Sequence, residues 1–201
     1  MEVYVLDLDL LAPLEAEALE KLSPARREKA LRLRRQDKRL QSIGAGLLLG
    51  HFVPGEIRIA PGGKPYAPAG RPFSLTHSGA LAAIALGHEG VGLDCERVRP
   101  VSPALASRTM GETERAWLAG QGAEGFFTLW TRKEAALKYL GTGADRDLRQ
   151  VCVLPGHKTV LDGRTVALHT VRYGDYILSA AGLDAAFVPN EIGIDDLLKG
   201  I

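Results

Sequence analysis

The sequence predicts an α+β fold in which a helical stretch followed by short antiparallel strands occurs twice, giving the chain a pseudo-twofold character. Two observations predict it. The alanine-, leucine- and arginine-rich run from about Leu14 to Leu49 has helical composition and leads into short β-type pieces. The stretch from Pro103 to Tyr139 is helical again and leads into a second set of β-type pieces ending near Ala181. Between them, Arg99-Pro100-Val101-Ser102-Pro103 interrupts regular structure, so the expected halves are residues 1–100 and 101–201.

Taken in order, Val3, Val5, Leu8 and Leu10 mark an opening β-prone stretch. Ser23-Pro24 marks a helix start, with serine suited to cap free amides and proline suited to the first turn. The helix it opens is strongly basic, carrying Arg26, Arg27, Lys29 and Arg32. Ile57 to Ala60 reads as a short strand, followed by the turn-rich Pro61-Gly62-Gly63-Lys64-Pro65. Phe73 to Thr76, Leu81 to Leu86 and Val91 to Glu96 then have hairpin spacing. In the second half, helices are expected over Pro103 to Ala119 and Gly125 to Tyr139. Strands are expected over Val151 to Leu154, Thr165 to Tyr173 and Tyr176 to Ala181. The tail from Asp184 to Ile201 is expected to pack loosely or not at all.

Composition narrows the function classes. Of 201 residues, 46% are hydrophobic and 24% charged, enough apolar content to bury a core. The 25 Lys and Arg against 24 Asp and Glu give a formal charge of +1, unlike a protein that blankets nucleic acid. No apolar run approaches the roughly 20 residues of a bilayer span, and the opening MEVYVLDLDL is unlike a signal peptide, so a cytoplasmic address is expected. Cys95 and Cys152 lack metal-ligand spacing and read as buried thiols.

Three local patterns carry chemistry. In Val91-Gly92-Leu93-Asp94-Cys95-Glu96, strand alternation puts Val91, Leu93 and Cys95 on one face and Asp94 and Glu96 on the other. Two adjacent carboxylates repel unless a hard divalent cation lies between them or Arg97 and Arg99 neutralise them. On the helix around Phe126, Leu129, Trp130, Leu137 and Leu140, Glu134 and Lys138 stand one turn apart, as a ligand pair or as a surface ion pair. Thr76-His77-Ser78-Gly79 places two hydroxyls and an imidazole at a turn, where an anion can be held or the histidine can simply be exposed. His51, His88, His157 and His169 have no comparable company.

Gly63-Lys64-Pro65, Phe73-Ser74-Leu75-Thr76-His77-Ser78-Gly79, Val91 to Glu96 and Trp130 to Lys138, in that order and spacing, resemble the 4′-phosphopantetheinyl transferase superfamily, in particular its Sfp-type (surfactin-synthetase-activating) branch. The resemblance implies two α+β halves with coenzyme A as substrate in the cleft between them. It implies transfer of the phosphopantetheine arm to a serine of an apo acyl or peptidyl carrier protein. By the same resemblance Asp94, Glu96 and Glu134 bind magnesium, with manganese an alternative, and Glu134 and Lys138 are catalytic. Arg26, Lys29, Lys64, Thr76, His77, Ser78, Lys133 and Lys138 face coenzyme A. Gln41 stands where many relatives carry an arginine, so one phosphate contact is either missing or supplied by Arg39. A monomer is expected, with neither nucleic acid nor membrane as partner. Two competing readings are a catalytically silent coenzyme A or carrier-binding module, and a nucleic-acid binder using the basic helix. The full acidic set speaks against the first, and the neutral total charge against the second.

Overall fold

In the computed structural model, residues 1–142, 146–156 and 159–200 are described. Strand β1 (Glu2–Asp7) leads into the helices α1 (Leu8–Leu11), α2 (Glu15–Glu20), α3 (Pro24–Leu31) and α4 (Gln36–Phe52). A small hairpin of β2 (Arg58–Ile59) and β3 (Pro65–Tyr66) precedes β4 (Phe73–Ser78), β5 (Leu81–Leu86) and β6 (Gly92–Arg97). Then come α5 (Pro103–Thr109), α6 (Glu112–Leu118) and α7 (Gly122–Leu140). The chain finishes with β7 (Thr159–Leu161), β8 (Arg164–Tyr173), β9 (Tyr176–Gly182), β10 (Pro189–Glu191) and α8 (Ile194–Lys199). The fold class is α+β, as the sequence predicts.

Two four-stranded sheets form, with orders β10-β1-β5-β4 and β6-β9-β8-β7. All pairings are antiparallel except β1 with β10. The strand period of two sorts side chains to opposite faces of each sheet. On β5, Ala82, Ile84 and Leu86 join a core with Ile43, Leu47 and Leu48 of α4, while Leu81, Ala83 and Ala85 join a second core with Leu93, Cys95 and Leu178. On β9, Ile177 and Ala181 pack with Phe126, Phe127 and Leu129 of α7. The result is helix, sheet, sheet, helix in layers, with α4 and α7 outermost.

Sheet membership crosses the 100/101 division in both directions. Gly92–Arg97 hydrogen-bonds to β9 in the second sheet, and 189–199 return to the first, where β10 pairs with β1 and Leu197 and Leu198 are buried. The tail therefore packs into the first core rather than loosely, because Ile194, Leu197 and Leu198 present one apolar side of a helical turn. Val151 to Leu154 is not a strand: buried side chains, described below, take up its backbone groups instead. Leu8 and Leu10 belong to α1, started by the Asp7 carboxylate accepting from the Asp9 amide. Ser23 makes no side-chain cap, although Pro24 does occupy the first turn. Cys95 is buried, but Cys152 is exposed because it alternates with the buried Val151 and Val153. His157 lies outside the described residues.

Candidate active site

The two sheets meet along their edge strands β4 and β6, and the junction is made by side chains. Ser74 Oγ accepts from the Leu93 amide at 2.9 Å, Thr76 Oγ1 from the Cys95 amide at 3.3 Å, and Ser78 Oγ from the Arg97 amide at 3.2 Å. Those amides point away from β9, which bonds the alternate residues Gly92, Asp94 and Glu96. Three hydroxyls, spaced two residues apart on β4, thus satisfy an edge that would otherwise be left open. On the same edge, Lys64 Nζ donates to the Val91 carbonyl at 2.7 Å and Lys138 Nζ to the Leu93 carbonyl at 3.0 Å. Ser74 is a member of this ladder that the sequence reading did not single out; the alternation of hydroxyls at 74, 76 and 78 is the signal that marks it.

The ladder fixes the acids. Thr76 Oγ1 also donates to Asp94 Oδ1 at 3.1 Å, and Ser78 Oγ to Glu96 Oε2 at 2.7 Å. Arg99 donates to the same Glu96 oxygen at 2.9 Å while its guanidinium stacks 4.7 Å from the centroid of Phe127, so the neutralising arginine of the competing reading exists for Glu96. Arg97 turns to Asp175 instead. Helix α7 lies against β6 closely enough that a Cβ on Gly92 would strike the Ala135 carbonyl and the Tyr139 amide. This approach brings Lys138 to Asp94 Oδ1 at 2.7 Å. Lys138 therefore pairs across to the strand and not with Glu134 on its own helix.

Asp94 Oδ2 is buried and has no hydrogen-bond partner. Burial pushes the Asp94 carboxyl up, opposed by Lys138 and reinforced by Glu96. Burial likewise pushes Glu134 up, and Asp94 and Glu96 add to it. An orphaned carboxylate oxygen among acids that resist ionisation fits a hard divalent cation. Among the described residues no three His, Cys, Asp or Glu side chains are gathered as a ready-made ligand set. A cation held by Asp94, Glu96 and Glu134 would therefore draw further oxygens from its ligand, as magnesium commonly does with phosphates.

Beside the acids opens a cavity of 220 Å³ lined by Lys64, Phe73, Ser74, Glu134, Leu137 and Lys138 among others. Burial lowers the Lys64 ammonium to about 8. At the far end of β4, the exposed His77 is held below its ordinary value by the protein around it and by Lys38, Lys138 and Lys29. The structure thus places Thr76 and Lys138 on Asp94 and Ser78 on Glu96, with Lys64 on the same edge and Glu134 within electrostatic reach of both acids, while Lys29 and Lys38 lie within electrostatic reach of His77.

Two residues expected at the site are elsewhere. Lys133 is fully buried, with Nζ bonded to Glu114 at 2.6 Å and to the Leu148 and Val151 carbonyls, so it has no N–H left for a ligand. Its position on α7 points it into the core opposite Lys138. Arg26 is half-buried in a separate 570 Å³ groove with Leu22, Leu49 and Val53, where burial lowers its guanidinium. The Thr76 and Ser78 hydroxyls are spent on the strand edge and the acids, which makes them positioning groups.

The site thus joins acids on a sheet edge to lysines and a small cavity. Comparison with known proteins gives the family. Residues 90–181 match the 4′-phosphopantetheinyl transferase superfamily model. The chain is 37% identical over 133 residues to 4′-phosphopantetheinyl transferase AcpT of Escherichia coli (strain K12), covering 61% of this chain and 67% of that protein. It is 25% identical over 162 residues to 4′-phosphopantetheinyl transferase Sfp of Bacillus subtilis (strain 168), covering 71% of each. Against 4′-phosphopantetheinyl transferase gsp of Aneurinibacillus migulanus it is 32% identical over 85 residues and spans about a third of that relative, 36% of its length. Among solved structures, holo-[acyl-carrier-protein] synthase of Thermotoga maritima matches with a TM-score of 0.39 at 23% identity, over 46% of this chain and 61% of that one. The chain belongs to the 4′-phosphopantetheinyl transferase superfamily.

Proposed function

We propose that this chain transfers the 4′-phosphopantetheine group of coenzyme A to a serine of an apo acyl or peptidyl carrier protein, releasing adenosine 3′,5′-bisphosphate. The observation that carries the proposal is the Asp94 carboxylate, with one oxygen shared by Lys138 and Thr76 and the other buried without a partner, beside the Lys64 cavity. Family membership and the relatives' names support the same activity.

In this reaction the serine oxygen bonds to the β-phosphorus as the bond to the bridging oxygen breaks. Glu134, whose carboxyl is pushed up by burial and by its acidic neighbours, is poised to take the serine proton. Lys64 and Lys138 face the charge that collects on the departing bisphosphate. Lys138 has two N–H groups committed to β6 and a third free to donate. When bound by Asp94, Glu96 and Glu134, magnesium or manganese would offset the diphosphate charge that three carboxylates otherwise repel. Substrate binding and orientation supply much of the rest.

Among the described residues no helix is long and apolar enough to cross a membrane. We read the protein as a cytoplasmic monomer, because strands from one chain supply both sides of the site, with no role for nucleic acid or membrane. The proposed organisation is two α+β halves that divide near residue 100, except that β6 and 189–199 each cross to the other half's sheet, with the acids and lysines between the halves. The test is to incubate the chain with coenzyme A, magnesium and an apo carrier, then weigh the carrier. A gain of one phosphopantetheine is expected; an unchanged mass with every accepted class of carrier overturns the proposal.

A further inference from the structure

The basic run 26–39 offers many cations, but most are committed. Arg39 donates to Glu15 at 2.7 Å and to the Leu33 and Arg34 carbonyls, so it does not stand in for the arginine absent at 41. Arg32 pairs with Glu28, and Arg35 with Asp37. Lys38 is different. It is exposed, no carboxylate lies within ion-pair distance of it among the described residues, and its ammonium donates to Gln41 Oε1 at 3.0 Å.

Gln41 is itself buried, and its amide Nε2 donates to the Gly79 carbonyl at 2.9 Å. Gly79 opens the turn that follows His77 and Ser78, and Tyr176 Oη holds the next amide, Ala80, at 2.9 Å. The turn is therefore pinned from two sides. One glutamine fixes the turn's carbonyl with its amino end and orients a lysine with its carbonyl end. An arginine at 41 has no acceptor to offer a lysine; the glutamine does.

We infer that Lys38, oriented by Gln41, completes the anion subsite formed by His77 and Lys29, and that it determines preference for coenzyme A bearing its 3′-phosphate. Lys38 lies within electrostatic reach of His77, as do Lys29 and Lys138. Its ammonium has two further donors for phosphate oxygens beyond the one held by Gln41. The inference rests on the proposed coenzyme A site.

The test is calorimetric titration of the full chain with coenzyme A and with 3′-dephospho-coenzyme A, for the wild type, Lys38→Met and Lys38→Arg. The wild type should favour coenzyme A. Lys38→Met should shrink that preference about tenfold, the low end for a hydrogen bond to a charged group in a screened setting. Lys38→Arg should restore most of it, and thermal midpoints should not move because Lys38 is exposed. An undiminished preference in Lys38→Met overturns the role of Lys38 while leaving the transferase intact. A wild type that binds neither nucleotide removes the coenzyme A site and this subsite together.

Discussion

Helix α7 carries two lysines that each meet a buried carboxylate, and the two pairs are built differently. Lys133 and Glu114 have side-chain exposures of 0% and 1%, and every strong partner is present. Glu114 accepts from the Gly111 and Val153 amides as well as from Lys133, and Lys133 also satisfies the Leu148 and Val151 carbonyls. Lys138 and Asp94 are 31% and 10% exposed, and one Asp94 oxygen has no partner at all. A satisfied buried pair specifies packing; an unsatisfied one next to a cavity is held ready for something else. The same stretch, Lys133 to Lys138, thus sends one lysine into the core and the other to the edge of the cavity.

The largest expected effect breaks this contrast on its structural side. Lys133→Met leaves the Glu114 charge buried with no cation and should cost about 3–5 kcal/mol of stability, read as a lowered urea midpoint. Lys138→Met should change stability by about 1 kcal/mol or less, because Asp94 can take up a proton in its place. Transfer should fall at least about 100-fold in that variant. Equal losses of stability in the two would erase the distinction.

The next effect concerns the sign of a stability change. Glu134 is harder to ionise in the folded protein, so its protonated form favours folding below the ordinary carboxylate range, and that contribution is lost as pH rises through the raised value. At neutral pH the ionised group opposes the fold. Glu134→Gln should accordingly raise the thermal midpoint at pH 7 in a chelating buffer, leave it nearly unchanged at pH 4, and sharply reduce transfer. A lower midpoint at pH 7 would mean that Glu134 helps to hold the fold.

A smaller effect follows from Lys64. Its ammonium is lowered to about 8 in the free protein, so between pH 8 and its unfolded value the unfolded chain binds more protons and stability rises with pH. An incoming diphosphate restores the charge. Coenzyme A binding near pH 8.5 should therefore take up part of a proton, seen as a heat that varies with buffer ionisation enthalpy, and affinity should weaken as pH rises past 8. Lys64→Met should abolish that buffer dependence.

Much of the framework was legible because it depends on short-range pattern. Alternation placed Leu93 and Cys95 in one core and Asp94 and Glu96 opposite, and the helical period placed Phe126, Leu129 and Leu137 inward. What was not legible depends on which side chain meets a distant backbone. Val151 to Leu154 has strand composition, yet Lys133, Glu114 and Arg132 bind its backbone groups and keep it out of a sheet. Lys133 is polar and lies in a functional motif, and nothing local reveals that three acceptors wait for it in the core. The tail's apolar residues fall in short pieces broken by Pro189, Gly193 and Asp195-Asp196, with no sustained strand or helix period, so its return to β1 was hidden until Pro189–Glu191 found that edge. The value of Gln41 likewise lies in joining Lys38 to Gly79, two residues that spacing alone does not connect.

The central claim is that Asp94, Glu96 and Glu134 share one divalent ion with a diphosphate ester. Manganese binding followed by electron paramagnetic resonance, with and without coenzyme A, tests it most directly. The account predicts one ion per chain, bound more tightly when coenzyme A is present, and lost in Asp94→Asn and Glu134→Gln proteins that remain folded. Manganese binding that is indifferent to both substitutions would contradict it.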